Sequence, residues 1–300
     1  MTYIVVQFDY ANRKGMYEKL LRVFEESVRV YDPENDVIVK EVKPPQVKTK
    51  HCFSSNTLKI AIWVEEMKKL PEGHEICFID CDMMVIKNPN DVFDLDFDIA
   101  YTKRPKPAGH RLPVNGGVVF CRNTEKSRSF MMKWKEINDK MYNDRKFHER
   151  YRKKYAGMNQ SAFGYLMEHP QEWDAHLVPV ECNTYNVCNE SWHRVGHDPN
   201  IRIVHVKSQL RKMVLSGVCS KRGCEEAVRM WLELYNSING DQIVMKIDPV
   251  RPLNRRMKKR PIPTSPKKKK NVHKLEMEAT ENEAVCLASG RKSKRRLYVP

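Results

Sequence analysis

The chain has 300 residues, enough for one large domain, and 41% of them are hydrophobic, which suffices for a packed core. Lys and Arg number 54 against 38 Asp and Glu, but residues 251–300 hold 16 of the basic and 4 of the acidic residues and so carry +12. Composition therefore excludes a uniformly basic fold. It predicts a near-balanced body over residues 1–248 and a basic, disordered tail over 249–300.

Hydrophobic periodicity predicts strands that alternate with helices. The β-branched run Tyr3–Phe8 is typical of a buried strand. The expected elements are, in chain order, strand 3–8, helix 16–30, strand 37–39, loop 44–53, a helix capped by Ser54, Ser55 or Asn56 that ends before Pro71, strand 76–79, a turn and strand over 114–120, a helix capped by Thr124, helix 159–167, strand 177–180, core strand 201–205 and helix 225–236. Such alternation predicts an α/β fold with a mostly parallel sheet flanked by helices.

Signals for the redox compartment and for targeting are weak. The nine Cys form no C-x-x-C and are odd in number, so reduced thiols are expected, although Cys219 and Cys224 could pair or bind a metal. No stretch approaches the ~20 apolar residues of a membrane helix, and the apolar start has no basic region typical of a signal peptide. A cytoplasmic location is predicted, with a nuclear or nucleic-acid-associated one as the alternative that the basic tail suggests.

Two carboxylates, Asp80 and Asp82, follow the apolar strand 76–79. The spacing alone says little, because Asp94 and Asp96 repeat it in an acidic loop. The position says more: ligands of open α/β sheets bind outside the carboxyl ends of strands, and two acids held there repel each other unless a cation lies between them. We therefore predict a divalent-cation site at Asp80 and Asp82, with a solvated strand end as the alternative.

Several segments, taken in order, resemble the core of glycogenin-type glycosyltransferases, which are retaining enzymes of the GT-A fold. The matching segments are Asn56–Trp63, Ile76–Pro89 with its Asp-Cys-Asp, Asp91–Asp94, Pro113–Val118, Asn159-Gln160, Asn183–Asn186 and Ile203–His205. Each segment is weak by itself, but their shared order over about residues 1–240 is much more specific. The resemblance implies a nucleotide-sugar donor, with uridine as the expected base, and an acceptor site on the variable loops 103–113 and 143–157.

The resemblance also implies residue roles. Asp80, Asp82 and His205 would bind the metal, and a carboxylate–imidazole set suits Mn²⁺ better than Mg²⁺. Asn159 and Gln160 would occupy the catalytic positions. The implied donor-binding residues are Gln7, Phe8, Lys59, Asn115, Gly116, Gly117, Lys207 and Arg211.

Two positions depart from the family pattern. The family usually has Asp where this chain has Asn159, and an amide is not a strong base, so an acid–base role there is in doubt. Gln160 could still position the sugar, and the departing phosphate could itself deprotonate the acceptor. After His205 the family has Gly and then Lys-Pro, whereas here Lys207, Arg211 and Lys212 are the nearby cations.

The sequence thus predicts a metal-dependent glycosyltransferase that moves a hexose from a UDP-sugar to an acceptor hydroxyl with retention. A nucleotidyltransferase using the same carboxylates is one alternative, although the loop Asp9–Gly15 has a single Gly where such enzymes are usually Gly-rich. The second alternative is a protein that binds nucleic acid through its tail. The tail could also tether the enzyme to nucleic acid or to another polyanion.

Overall fold

A computed structural model describes residues 1–8, 15–42, 54–104, 114–155, 157–189, 191–240 and 242–248 of the chain. The predicted loop 44–53, most of the loop 103–113 and the basic tail lie outside these residues. The predictions made for these segments, and the domain boundary after residue 248, therefore stay predictions. None of the described helices combines the length and the apolar composition that crossing a membrane requires.

Strands and helices alternate as predicted at the beginning and at the end of the described residues, whereas residues 75–122 hold four successive strands and residues 125–168 hold three successive helices. The elements are β1 Thr2–Phe8, α1 Met16–Tyr31, β2 Asp36–Val42, α2 Ser54–Met67, β3 Glu75–Asp80, β4 Met83–Val85, β5 Ile99–Lys103, β6 Val114–Arg122, α3 Glu125–Asn143, α4 Arg145–Tyr155, α5 Asn159–Glu168, β7 Leu177–Glu181, α6 Cys182–Tyr185, β8 Ile203–His205, α7 Ser208–Ser216, β9 Val218–Cys219, α8 Glu225–Ile238 and β10 Lys246–Ile247. Thr124 caps α3 as expected, in a capping box with Ser127.

Six strands form the central sheet in the order β2-β1-β3-β6-β5-β7. The pairings of β1 with β2, β1 with β3 and β5 with β7 are parallel, whereas β6 is antiparallel to both of its neighbours. Alternate residues of β1 enter different cores: Ile4 packs in the cluster that contains Trp63 and Trp134, and Tyr3 packs in the cluster that contains Phe24. The sheet is thus covered on both faces by helices, which confirms the predicted α/β class.

The strand predicted at 201–205 is shorter and does not belong to the central sheet. Ile203–His205 pairs antiparallel with β4 as a separate two-stranded sheet, in which Met83 lies opposite His205. The backbone N–H of Val206 then donates to Asp82 O at 2.8 Å. This small sheet brings His205 to the segment that follows β3, which no periodicity in the sequence could indicate.

Two further predictions are corrected. The Asn115-Gly116 pair was expected in a turn but lies inside β6, and neither Gly116 nor Gly117 has a positive φ. The segment 143–157 was expected as a loop, yet most of it is helix α4. Its apolar residues Phe147 and Tyr151 recur at i and i+4, but the high charge of the segment conceals this periodicity.

A close approach between α4 and α5 leads to our first prediction. A Cβ on Gly164 would lie 2.3 Å from the Tyr155 ring, whereas a Cβ on Gly240 would have no neighbour within 4 Å. We expect Gly164→Ala to lower the free energy of unfolding by about 1–3 kcal/mol because the ring must move. Gly240→Ala is the matched control. Equal unfolding midpoints for the two variants in urea would contradict the packing described here.

Candidate functional site

Asp80 ends β3 at the carboxyl edge of the central sheet. Its Oδ1 accepts a hydrogen bond from Lys59 Nζ at 2.6 Å, and the same ammonium group donates to Gly116 O at 3.3 Å. Lys59 is 6% exposed and also lies over the Trp63 ring, at 4.6 Å from its centre. A buried ammonium group needs a carboxylate to compensate its charge. Lys59 therefore ties α2 to both the aspartate and strand β6.

Asp82 lies between β3 and β4 and is 7% exposed. Arg211 donates to its Oδ2, and His205 Nε2 lies 3.4 Å from its Oδ1. Burial raises the pKa of Asp82, but the charges of His205 and Arg211 outweigh this effect and hold the pKa well below its ordinary value. Asp82 is therefore ionised in the folded protein, with a nitrogen group facing each of its oxygens.

Hydrogen bonds fix the orientation of the His205 ring. Thr102 Oγ1 donates to Asn115 O at 2.7 Å, so it accepts from Asn186 Nδ2, which lies 3.0 Å away. This leaves Asn186 Oδ1 to accept from His205 Nδ1 at 2.9 Å. The hydrogen of the neutral ring is thereby placed on Nδ1, and the lone pair of Nε2 faces Asp82. Two lone pairs that face each other require a proton or a metal ion between them.

These residues fit a divalent cation. Asp80, Asp82 and His205 each offer one ligand atom, and the three atoms lie within 4.8 Å of one another. Burial and the charge of Lys207 lower the pKa of His205, but Asp82 raises it to a value above the ordinary one. In the absence of a metal, a proton between His205 and Asp82 would meet the same requirement. A carboxylate–imidazole set of this kind is suited to Mn²⁺.

Strand β6 approaches this cluster closely because it has glycine at two positions. A Cβ on Gly117 would lie 2.6 Å from Met83 Cε and 2.9 Å from His205 Cε1, so the strand could not lie here with a larger residue. Asn115 is 2% exposed, and its Nδ2 lies 3.0 Å from Cys188 Sγ. Protein groups therefore hold its side chain, and its implied contact with the donor sugar stays a prediction.

The two implied catalytic amides lie next to the glycines. Gly116 N donates to Gln160 Oε1 at 3.3 Å, while Gln160 Nε2 donates to the Tyr155 carbonyl oxygen at 3.1 Å. The Asn159 side chain accepts from the Gln160 backbone N–H at 3.0 Å. A Cβ on Gly116 would lie 3.2 Å from Asn159 Nδ2. Both side chains are thus positioned by hydrogen bonds at the side of β6 that also contacts Lys59.

The remaining implied residues lie around the same edge. Gln7 and Phe8 end β1, one and two residues after Val6, the register partner of Asp80. Gln7 is 3% exposed, and its Oε1 accepts no hydrogen bond from the described residues. Lys207 lies two residues after His205, and its charge lowers the pKa of both Asp82 and His205.

Sequence reasoning missed three residues that hold this site in place. Asn186 was noted only as part of a matching segment, Thr102 was not considered, and neither was Tyr17, whose hydroxyl accepts from Arg211 Nη1 at 3.0 Å. All three contact predicted site residues from distant positions in the chain. No local pattern marks such residues, so the fold was needed to find them.

The orientation of His205 leads to a second prediction. Asn186→Leu removes the acceptor of the Nδ1 hydrogen and should lower Mn²⁺ affinity by about 10–100-fold. Electron paramagnetic resonance of free Mn²⁺ measures this affinity directly. Asn183→Leu is the matched control, because Asn183 lies in the short helix α6, which ends directly before Asn186, but bonds to Ser191. Equal Mn²⁺ affinities for the two variants would show that Asn186 does not orient the ligand.

The Arg211–Asp82 pair leads to a third prediction. Arg211→Met leaves a buried carboxylate without its cation and should lower the free energy of unfolding by about 3–5 kcal/mol in EDTA. Mn²⁺ should restore part of this loss, because a metal ion compensates the same charge. Arg202→Met breaks the more exposed pair with Asp91 and is the control. A loss that Mn²⁺ leaves unchanged in both variants would exclude Asp82 as a metal ligand.

Comparison with known proteins identifies the family of this chain. The nucleotide-diphospho-sugar transferase family profile matches residues 30–214. No curated protein sequence matches the chain. Similar solved structures include the galactosyltransferase LgtC with donor and acceptor sugar analogues, at 11% identity over 79% of this chain and 96% of that one, with a TM-score of 0.48.

Two further examples among the similar solved structures follow. One is the glycosyltransferase GlyE of Streptococcus pneumoniae TIGR4, at 14% identity over 79% of this chain and 63% of that one, with a TM-score of 0.48. The other is a glycosyltransferase involved in glycosylation of the major capsid of PBCV-1, at 14% identity over 70% of this chain and 96% of that one, with a TM-score of 0.48. The family match covers more than half of the chain. The chain therefore belongs to the nucleotide-diphospho-sugar transferase family and is a glycosyltransferase of the GT-A fold.

Proposed function

We propose that this glycosyltransferase moves a hexose from a UDP-sugar to an acceptor hydroxyl, with retention, and depends on Mn²⁺ or Mg²⁺ held by Asp80, Asp82 and His205. One observation carries the proposal: two carboxylates from the end of β3 and the imidazole of His205 from β8 offer ligand atoms within 4.8 Å of one another. They do so at the carboxyl edge of the sheet, where ligands of open α/β sheets bind.

The charged groups around the cluster suit a diphosphate. A divalent cation bound there would offset the negative charge that develops on the departing nucleoside diphosphate. Lys59, Lys207 and Arg211 add positive charge next to the same carboxylates, and we infer that they hold the phosphate oxygens. Lys59 and Arg211 would then exchange part of their contact with Asp80 and Asp82 for the ligand.

The proposed transfer needs no protein base. The acceptor oxygen forms a bond to the anomeric carbon while the bond from that carbon to the diphosphate oxygen breaks, and the acceptor proton passes to the departing diphosphate. Asn159 and Gln160 are amides and cannot take up this proton, which supports the leaving group as its recipient. We infer that Gln160 positions the sugar, since it already contacts Gly116. Retention rests on the resemblance to glycogenin-type enzymes.

Gln7 supports uridine as the base. Its buried Oε1 has no donor among the described residues, and a buried acceptor without a donor is unfavourable. The imide N–H of uracil is a donor of the required type. We propose that Gln7 and Phe8, at the end of β1, contribute to the nucleotide site.

The assignment to a glycosyltransferase family disfavours a nucleotidyltransferase, the first alternative that the sequence left open. We propose residues 1–248 as the catalytic domain. The basic tail, residues 249–300, lies outside the described residues, so its proposed role as a tether to nucleic acid or another polyanion rests on its composition alone.

A fourth prediction tests the proposal. Thermal unfolding is measured with UDP-glucose, UDP-galactose, UDP-N-acetylglucosamine and GDP-mannose, each with Mn²⁺, with Mg²⁺ and with EDTA. A donor at 100 times its dissociation constant should stabilise the protein by about 2.7 kcal/mol, and only with metal. Asp82→Asn should abolish this shift, and Asp91→Asn should keep it. Stabilisation by nucleoside triphosphates alone, or by donors equally in EDTA, would contradict the proposal.

A further inference from the structure

Helix α4 concentrates the positive charge of the folded part of the chain. Its eleven residues, Arg145–Tyr155, include six Lys or Arg and one Glu, a net charge of +5. Residues 1–250 contain 38 basic and 34 acidic residues, a net charge of +4, so without α4 they carry −1. A large single-sign field on an otherwise mixed surface is typical of a surface that attracts a partner of opposite charge.

Three of these cations form a stripe along the exposed side of α4, which we call the α4 cation stripe: Lys146, Arg150 and Lys153. Their spacing of i, i+4 and i+7 places them on one side of the helix over about 10 Å. All three are exposed, and none forms an ion pair with a described residue. By contrast, Arg145 pairs with Glu149 at 2.9 Å, and Lys154 pairs with Glu168 at 2.5 Å.

The opposite side of α4 is packed and holds the stripe in a fixed position. The rings of Phe147 and Tyr151 lie 5.5 and 5.4 Å from the Tyr165 ring of α5. Tyr155 contacts the backbone at Gly164, where no larger residue fits. The cations therefore project from a helix that is anchored on the catalytic domain rather than from a segment without tertiary contacts.

The carboxyl end of α4 joins the sugar side of the proposed active site. The Tyr155 carbonyl oxygen accepts from Gln160 Nε2 at 3.1 Å, and Gln160 Oε1 accepts from Gly116 N at 3.3 Å. Lys153 lies two residues before Tyr155, about 3 Å along the helix axis. A polymer bound along the stripe would thus pass within one helix diameter, about 10 Å, of the residues that we propose position the donor sugar.

The spacing of the charges indicates the kind of polymer. The three cations follow one another at about 6 and 4.5 Å along the axis, and Glu149, the one acid of α4, lies beside them but pairs with Arg145 at 2.9 Å. A nucleic acid presents one phosphate per 3.4 Å of axis on each strand and so can meet all three charges, whereas protein surfaces mix both signs. We propose that the α4 cation stripe binds the phosphate backbone of a nucleic acid, which places the bound strand near the donor site. The binding itself does not depend on the proposed function, whereas the nearness of the strand to a donor site does.

The test is fluorescence anisotropy of the full chain with a labelled 20-base-pair DNA over a range of salt concentrations. The variant is Lys146→Gln/Arg150→Gln/Lys153→Gln. The matched control is Lys68→Gln/Lys126→Gln/Arg229→Gln. It removes the same charge from three exposed cations that lie outside α4, each of which pairs with an acidic residue. Because each phosphate contact contributes about 0.9 to the slope of log K against log salt, the stripe variant should lose about 2–3 from this slope. It should also bind at least tenfold more weakly at 0.1 M salt, while the control stays close to wild type.

Three outcomes would overturn the inference: no binding of DNA by the wild type, equal salt slopes for the stripe variant and the control, or competition by polyglutamate as effective as that by unlabelled DNA. The last outcome would identify an acidic polypeptide as the partner. The stabilisation by nucleotide-sugar, measured on the stripe variant, should equal that of the wild type. If nucleotide-sugars do not stabilise the wild type, the proposed function is refuted, and the DNA result stands as a separate finding.

Discussion

The charge of Asp82 is the constraint on which the site depends. A buried carboxylate without a partner is strongly unfavourable, so the folded chain must bring compensating groups to it. His205 comes from β8 through the pairing of this strand with β4, and Arg211 comes from α7. His205 thus belongs to the small two-stranded sheet and Arg211 to a helix, and both elements lie outside the central sheet. The segment after β7, which packs through a large apolar cluster, thus also supplies the groups that compensate the charge of Asp82.

A connected set of hydrogen bonds joins the proposed metal ligands to the proposed sugar side. It runs from His205 through Asn186 and Thr102 to the backbone of Asn115, and Gly117 lets the His205 ring lie against β6. Lys59 makes a second connection, from Asp80 to Gly116. Because Asn186 and Thr102 hold the His205 ring before any ligand binds, this ring needs little reorganisation to receive one, which is a property that electrostatic catalysis favours.

Helix α4 has two sides with different roles. Its aromatic side packs on α5 and stabilises the turn that leads to Asn159 and Gln160, whereas its cationic side faces solvent. The same element therefore contacts, through the Tyr155 carbonyl oxygen, one of the amides that we propose position the donor sugar, and presents the cations of the α4 cation stripe to solvent.

Local features of the sequence determined the α/β class, most helix and strand positions, and the importance of Asp80 and Asp82, because periodicity and strand ends are properties of neighbouring residues. Among the implied site residues, Lys59, His205 and Arg211 do lie at these carboxylates, while their roles stay proposals. Only the tertiary structure decided that 203–205 leaves the central sheet, that Asn115 and Gly116 continue a strand, and that Asn186, Thr102 and Tyr17 support the site. Each of these depends on contacts between residues far apart in the chain, where packing and charge compensation, rather than local propensity, determine the conformation.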